Sequence, residues 1–200
     1  MSIYALKPRF QALLRPVARA LHGMGATANQ VTVAACVVSI ALGVLLASRP
    51  EDFRLFLLVP AWLFVRMALN AIDGMLAREF GHASKLGAYL NEITDVVSDA
   101  ALYAPFALLP GSSPTLVATV IALAIISEMA GVLGLMVGAS RRYDGPMGKS
   151  DRAFVFGLLG LLAGLGVDLA PYLAWVLAAV AALVAFTIFN RVRNGLLESA

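Results

Sequence analysis

Six long charge-poor stretches constrain this chain more than any other feature: Met24 to Ser48, Leu55 to Ile72, Leu86 to Leu109, Pro114 to Ala139, Ala153 to Val167 and Leu169 to Asn190. Crossing the hydrocarbon core of a bilayer takes about 20 predominantly apolar residues per helix. Inside that core every backbone polar group must find a partner within the protein, which leaves helices as the solution for such runs. Composition agrees, at 60% hydrophobic residues and a mean hydropathy of +0.86, against about 45–50% apolar in soluble domains. The expectation is an all-α polytopic membrane bundle of six transmembrane helices, preceded by an interfacial amphipathic helix. It reads as a single domain over residues 1–200, with the interfacial helix at 1–22 and the six-span bundle at 23–190. Arg66 interrupts the second stretch. Ala153 to Val167 is short for a span, so it draws in its flanks or sits in thinned bilayer, and a five-span count stays open.

Charge sets the expected orientation. Lys and Arg gather in cytoplasmic loops. With the N-terminus inside, Lys7, Arg9, Arg15, Arg19, Arg78, Lys85, Arg141, Arg142, Lys149, Arg152, Arg191 and Arg193 all fall on the cytoplasmic side, and only Arg49 and Arg54 on the outer side. Both termini are expected in the cytoplasm. In the first 22 residues Tyr4, Leu6, Phe10, Leu13, Leu14, Val17 and Leu21 stand among four cations, the pattern of a basic helix lying on the inner leaflet and too charged for a cleaved signal. Pro8 and Pro16 weaken it, and two short pieces fit as well as one. Ala28-Asn29-Gln30 is placed to cap the first span. The lone Cys36 cannot form an internal disulfide and reads as a small buried filler. Membrane lipids are the expected surroundings, and no nucleic-acid partner is expected.

Two polar islands interrupt the apolar pattern: Asn70-Ala-Ile-Asp73-Gly74-Met-Leu-Ala77-Arg78 and Gly87-Ala-Tyr-Leu-Asn91-Glu-Ile-Thr-Asp95-Val-Val-Ser-Asp99. An ionisable group within a span is costly unless paired, hydrated or ligating, so these acids mark a functional site. Asn70 and Asp73 are three apart, and Asn91, Asp95 and Asp99 are each four apart, so on helices each set lies along one face. Oxygen-only donors from two facing helices suit a hard divalent cation, Mg²⁺ or Mn²⁺. Gly74 and Gly87 allow close approach of a backbone or a phosphate, and Arg78 and Lys85 between them offer positive charge to a pyrophosphate. The first island closes span two and the second opens span three, which puts the site on the cytoplasmic side.

This pattern resembles the signature of the CDP-alcohol phosphatidyltransferase family, D-x2-D-G-x2-A-R, then x8, then G-x3-D-x3-D. Asp73, Gly74, Ala77, Arg78, Gly87 and Asp95 fall on family positions with the right gaps, while Asn70 and Asn91 replace the first and third acids. The resemblance implies a membrane enzyme that moves a phosphatidyl group from CDP-diacylglycerol to an alcohol acceptor and releases CMP, built as a six-helix protein that pairs as a homodimer. It implies that Asp73, Gly74, Ala77, Arg78 and Gly87 bind the CDP group. Asp73, Asn70, Asn91 and Asp95 then stand at the metal positions and Asp95 is the general base. The two asparagines leave three outcomes open: a site that borrows Glu92 or Asp99, a site with one tightly held metal, or a paralogue without activity. Asp99, one turn beyond Asp95 on the same face, is the leading substitute ligand.

Further polar residues are read more broadly. Arg66 shares the face of Asn70 and Asp73 and must be neutralised, by Asp73, by Asp99 or by a phosphate. Glu128, midway along the fourth stretch, is placed to support Arg66 or to meet the acceptor. The segment from Ser140 to Arg152 is similar to a glycine-lysine segment of many family members, and with Arg66 and Lys85 its Arg141, Arg142, Lys149 and Arg152 are candidate contacts to acceptor or phosphate, tilting the acceptor slightly toward a phosphorylated alcohol. Positive-inside topology alone would also place cations there. His22 and His82 read as loop or interface residues. Two other classes remain: a non-catalytic lipid- or nucleotide-binding paralogue, for which the two asparagines speak, and a small transporter, which explains the acids but not the glycine and arginine spacing.

Overall fold

The computed structural model describes residues 6–199, with side chains from Phe10 onward. Tyr4 and the other residues before Leu6 lie outside this range. Among the described residues the chain is all-helical, with seven α-helices: α1 (Leu6–Gly23), α2 (Ala28–Ser48), α3 (Leu58–Glu79), α4 (Lys85–Tyr103), α5 (Pro114–Leu133), α6 (Lys149–Gly164) and α7 (Leu173–Ser199). Short 3₁₀ segments at Phe53–Leu57, Ala104–Leu108 and Gly134–Val137 extend α3, α4 and α5.

Local chemistry explains the helix ends. Thr27 caps α2 in a reciprocal box with Gln30, so the cap is one residue earlier than the Ala28-Asn29-Gln30 signal suggests. A threonine hydroxyl accepts from the backbone N–H of its third neighbour, and an alanine cannot. Ser84 and Ser113 cap α4 and α5 in the same manner. The helix α1 runs unbroken through Pro16. The carbonyl that loses its donor there belongs to Ala12, which is exposed and can be solvated.

Four helices are long and apolar enough to cross a membrane, within Ala28–Ser48, Phe53–Glu79, Pro114–Val137 and Leu173–Ser199. The remaining two expected spans differ for physical reasons. The helix α4 carries Glu92, Asp95 and Asp99, and α6 has only 16 residues. The final helix continues past Asn190 to Ser199, carrying Arg191 and Glu198 with it.

The bundle packs α2 against α4 and α3, α3 against α6, and α5 against α7. Close approach of α2 and α4 requires Gly43, where a Cβ would collide with the Ala101 backbone. Small residues at such crossings let helix backbones meet where lipid supplies no hydrophobic drive. Trp62 Nε1 donates to Ser39 Oγ at 2.9 Å and ties α3 to α2, worth about 0.6 kcal/mol by analogy with interhelical bonds in other bundles. An aromatic group of Phe56, Tyr103, Phe106 and Phe156 fills the centre, with Tyr103 stacked on Phe156 at 3.8 Å. One face of α1, with Leu14, Ala18 and Leu21, packs on Ile72, Met75 and Leu76 of α3. Arg15 donates twice to the Glu79 carboxylate at 3.0 Å, so this cation of α1 serves the protein rather than a lipid headgroup. The ends of α3 and α7 and the starts of α2, α4 and α6 meet at one end of the bundle, and this is where the polar islands lie.

Candidate active site

Asp73 faces inward from the last turns of α3 and is 6% exposed. Thr32 of α2 donates to Asp73 Oδ2 at 2.8 Å. Three carboxylates are buried among the described residues: Asp73, Asp99 and Glu128. Asp99 and Glu128 are paired with arginines, and Asp73 has no cationic partner among the described residues. A buried carboxylate without a counter-charge is a costly arrangement unless something else neutralises it. One turn further on, Arg78 folds back over Gly74, where a Cβ would stand 2.8 Å from Arg78 Nη2. Gly74 therefore leaves room for that guanidinium, and Arg78 is exposed at the mouth of the site. Asn70 and Ala77 are half-buried on either side.

The helix α4 begins with Ser84 accepting from Gly87 N at 2.9 Å. Gly87 faces Asn29 of α2, whose Oδ1 would lie 2.8 Å from an added Cβ. Lys85 is exposed beside it. Asn91 and Asp95 are half-buried on the following turns, and Asp73 lies within Coulombic reach of both Asp95 and Lys149. Arg66 bonds to Asp99 Oδ1 at 2.5 Å and to Asp95 Oδ1 at 3.2 Å. Lys149, the first residue of α6, pairs with the other oxygen of Asp95.

A second set of pairs continues inward. Arg152 of α6 sits 3.5 Å from Asp99 Oδ2 and donates to Glu128 Oε1 at 2.9 Å. Arg191 of α7 approaches Glu128 Oε2 at 3.3 Å, and Arg141 approaches the same oxygen at 3.7 Å while binding Glu92. Lys149, Asp95, Arg66, Asp99, Arg152, Glu128, Arg191, Arg141 and Glu92 thus form one connected ion-pair network across five helices and a loop. The loop that carries Arg141 is itself pinned, since Arg142 binds Asp144 and Glu198, and Met147 N donates to Thr187 Oγ1 at 3.0 Å.

The structure thus gathers most of the residues singled out from the sequence, with a different pairing. Arg66 meets Asp99 and Asp95, not Asp73. Glu128 meets Arg152, Arg191 and Arg141, not Arg66. Both oxygens of Asp99 are engaged by arginines, Oδ1 by Arg66 and Oδ2 by Arg152. Glu92 is likewise engaged, by Arg141. Arg142 turns away to Asp144 and Glu198. His22 and His82 meet each other as tilted rings with centroids 5.1 Å apart, His22 also lying against Phe80. Sequence reading missed Thr32, which contacts Asp73, and Arg191 as a member of the network. Arg191 lies in the polar last turns of α7 beside Arg193 and Glu198, where positive-inside topology already accounts for a cation, and nothing local marks Thr32.

The sequence profile of the CDP-alcohol phosphatidyltransferases matches residues 26–190. The chain belongs to that family. Among relatives of this CDP-alcohol phosphatidyltransferase family member, Inner membrane protein YnbA of Escherichia coli is 46% identical over 202 residues, covering 100% of this chain and 99% of that protein. The phosphatidylinositol phosphate synthase of Corynebacterium glutamicum is 28% identical over 193 residues, covering 90% and 83%. The fold is that of the Mycobacterium tuberculosis phosphatidylinositol phosphate synthase. In its crystal structure with CDP-DAG bound the TM-score is 0.75 at 19% identity, covering 92% of this chain and 94% of that one. In the complex with manganese and citrate the TM-score is 0.73 at 18% identity, covering 92% and 88%. The chain is an integral membrane protein.

The donors present in this family member suit a hard divalent cation, being carboxylate and amide oxygens around a buried Asp73 that makes no ion pair among the described residues. Asp95 is already held by Lys149 and Arg66, Asn70 and Asn91 bring no charge, and no group of three or more His, Cys, Asp or Glu that could hold a metal converges among the described residues.

Proposed function

We propose that this protein transfers a phosphatidyl group from CDP-diacylglycerol to an alcohol acceptor, releasing CMP, at the end of the bundle where α3, α4 and α6 meet. The observation that carries the reading is Asp73, a buried carboxylate of the family signature that makes no ion pair among the described residues and lies within Coulombic reach of Asp95. Asp73, with the amide oxygens of Asn70 and Asn91, would hold one Mg²⁺ or Mn²⁺, which when bound supplies charge neutralisation for the pyrophosphate and the departing CMP. Arg78 and Lys85 are the exposed cations at the mouth, placed to bind the pyrophosphate, with Gly74, Ala77 and Gly87 giving it room. Lys149 and Arg66 orient the Asp95 carboxylate. Asp95 takes the proton of the acceptor hydroxyl, whose oxygen bonds to the lipid-bearing phosphorus as the bond from that phosphorus to the CMP oxygen breaks. Six spans with α4 and α6 included, termini and site on the cytoplasmic side, and pairing with a second copy complete this reading, supported by the positive-inside distribution of charge and by the family.

The test is CMP release from CDP-diacylglycerol by purified protein across a panel of acceptor alcohols with Mg²⁺ or Mn²⁺. Release with an acceptor, reduced about 10²–10⁴-fold in Asp95→Asn, is expected. A second reading, a lipid- or nucleotide-binding paralogue without catalysis, is favoured by Asn70 and Asn91. Folded protein that binds CDP-diacylglycerol and releases no CMP with any acceptor would establish it.

A further inference from the structure

Glu128 is the hub of the inner half of the network and the proposed mechanism gives it no role. It is 8% exposed, and three guanidinium groups converge on it: Arg152 at 2.9 Å, Arg191 at 3.3 Å and Arg141 at 3.7 Å. Three arginines around one acceptor group is the arrangement proteins use to hold a phosphate. Here a carboxylate from the protein's own α5 stands at the centre. Arg152 and Arg191 are 1% and 2% exposed, and most of their other donors are used within the protein, Arg152 Nε and the neighbouring Arg141 Nε being the buried donors of the cluster left without a partner. Arg152 Nη1 donates to Ser127 Oγ at 3.3 Å and to Met147 O at 3.2 Å, and Arg191 donates to Ser127 O and to Asp144 O.

Charge closes the argument. The network holds five cations, Arg66, Arg141, Lys149, Arg152 and Arg191, against four carboxylates, Glu92, Asp95, Asp99 and Glu128. The adjacent Asp73 brings the region to neutrality. In the proposed reading the pyrophosphate takes Arg78 and Lys85 at the mouth, and the network itself then holds no spare cation for the added negative charge of a phosphorylated acceptor. To bind the arginines it would have to displace Glu128 and leave that carboxylate buried and unpaired, which is strongly unfavourable.

We infer that Glu128 is a specificity-determining residue: as an internal anion it fills the Arg141, Arg152 and Arg191 cluster, so the acceptor is an alcohol that carries no phosphate of its own. This rests on the proposed transferase reading for the word acceptor, and departs from the tilt toward a phosphorylated alcohol that the basic loop alone suggests. The filled cluster itself is independent of catalysis.

The experiment therefore reads binding without CDP-diacylglycerol. Purified protein in detergent is titrated with inorganic phosphate and with glycerol 3-phosphate by calorimetry, with thermal stability followed in parallel, for the parent and for Glu128→Gln. The glutamine keeps the shape and removes the charge. The parent is expected to show no saturable binding, and Glu128→Gln is expected to bind phosphate at least ~10-fold more tightly and to be stabilised by it. Equal binding by parent and variant overturns the inference. So does a folded variant that gains no phosphate binding. If the variant does not fold, the parent decides through CMP release with glycerol against glycerol 3-phosphate: turnover of the phosphorylated alcohol overturns the inference, and turnover of glycerol alone supports it. Absence of all CMP release with phosphate binding gained in the variant would sink the transferase reading and leave the filled cluster standing.

Discussion

Arg66 of α3 and Asp99 of α4 form a buried ion pair 2.5 Å long, with side chains 4% and 6% exposed. The same guanidinium reaches Asp95 through both its backbone and its side-chain oxygen. One arginine thus fixes the rotation of the helix that carries half of the candidate site.

Removing that arginine leaves Asp99 facing Arg152 alone and Asp95 facing Lys149 alone. Arg66→Met is expected to cost about 3–5 kcal/mol, because the buried network loses one positive charge and its acids are left under-compensated. The double variant Arg66→Met with Asp99→Leu should recover most of this. Unfolding of both in a mild detergent checks it, and a loss below about 1 kcal/mol in the single variant would show that the pair does not hold α4.

Asp73 should be the centre of divalent-cation binding. Mn²⁺ titration followed by electron paramagnetic resonance is expected to give one site in the parent and none in Asp73→Asn. Thr32→Val, which removes the hydroxyl that donates to Asp73, should weaken the site about 10-fold, as loss of a supporting hydrogen bond typically does. Asn70→Asp combined with Asn91→Asp should raise the count to two. A parent that already binds two ions tightly would contradict the single-ion reading.

Gly74 separates stability from ligand binding. A Cβ there meets only the far end of the Arg78 side chain, which can swing out. Gly74→Ala should therefore leave the helix unharmed or stabilise it by up to about 1 kcal/mol, while weakening binding of CDP-diacylglycerol by displacing Arg78. Melting temperature and equilibrium binding measured on one preparation test both halves.

The loop between α5 and α6 should open in acid. Arg142 donates to both oxygens of Asp144 and holds its carboxyl below the ordinary value of 3.8. A carboxylate with a depressed folded pKa contributes stability that is present above its unfolded pKa and lost as pH falls through the folded one. Proteolysis within 138–148 should therefore accelerate below about pH 4 in the parent. Asp144→Asn should show fast cleavage at neutral pH and a flatter profile.

The sequence by itself determined the all-helical membrane class and the spacing that lines Asn91, Asp95 and Asp99 along one face. It also determined that the polar islands and the cations of the loops belong to one end. These follow from partition between lipid and water and from the helical repeat, both of which act locally. Only the tertiary structure decided which cation meets which acid. Arg66 could reach Asp73 along its own helix, yet it turns to Asp95 and Asp99 because α4 presents them across the interface. Thr32 reaches Asp73 from another helix, and Arg191 reaches Glu128 over more than 60 residues of chain. Such pairings depend on the rotation and neighbours of whole helices, set by contacts like Gly43 on Ala101 that no local pattern encodes. The arginine cluster that looked in sequence like an open phosphate site is filled by Glu128 for the same reason: helix packing brings α5, α6 and α7 together around it.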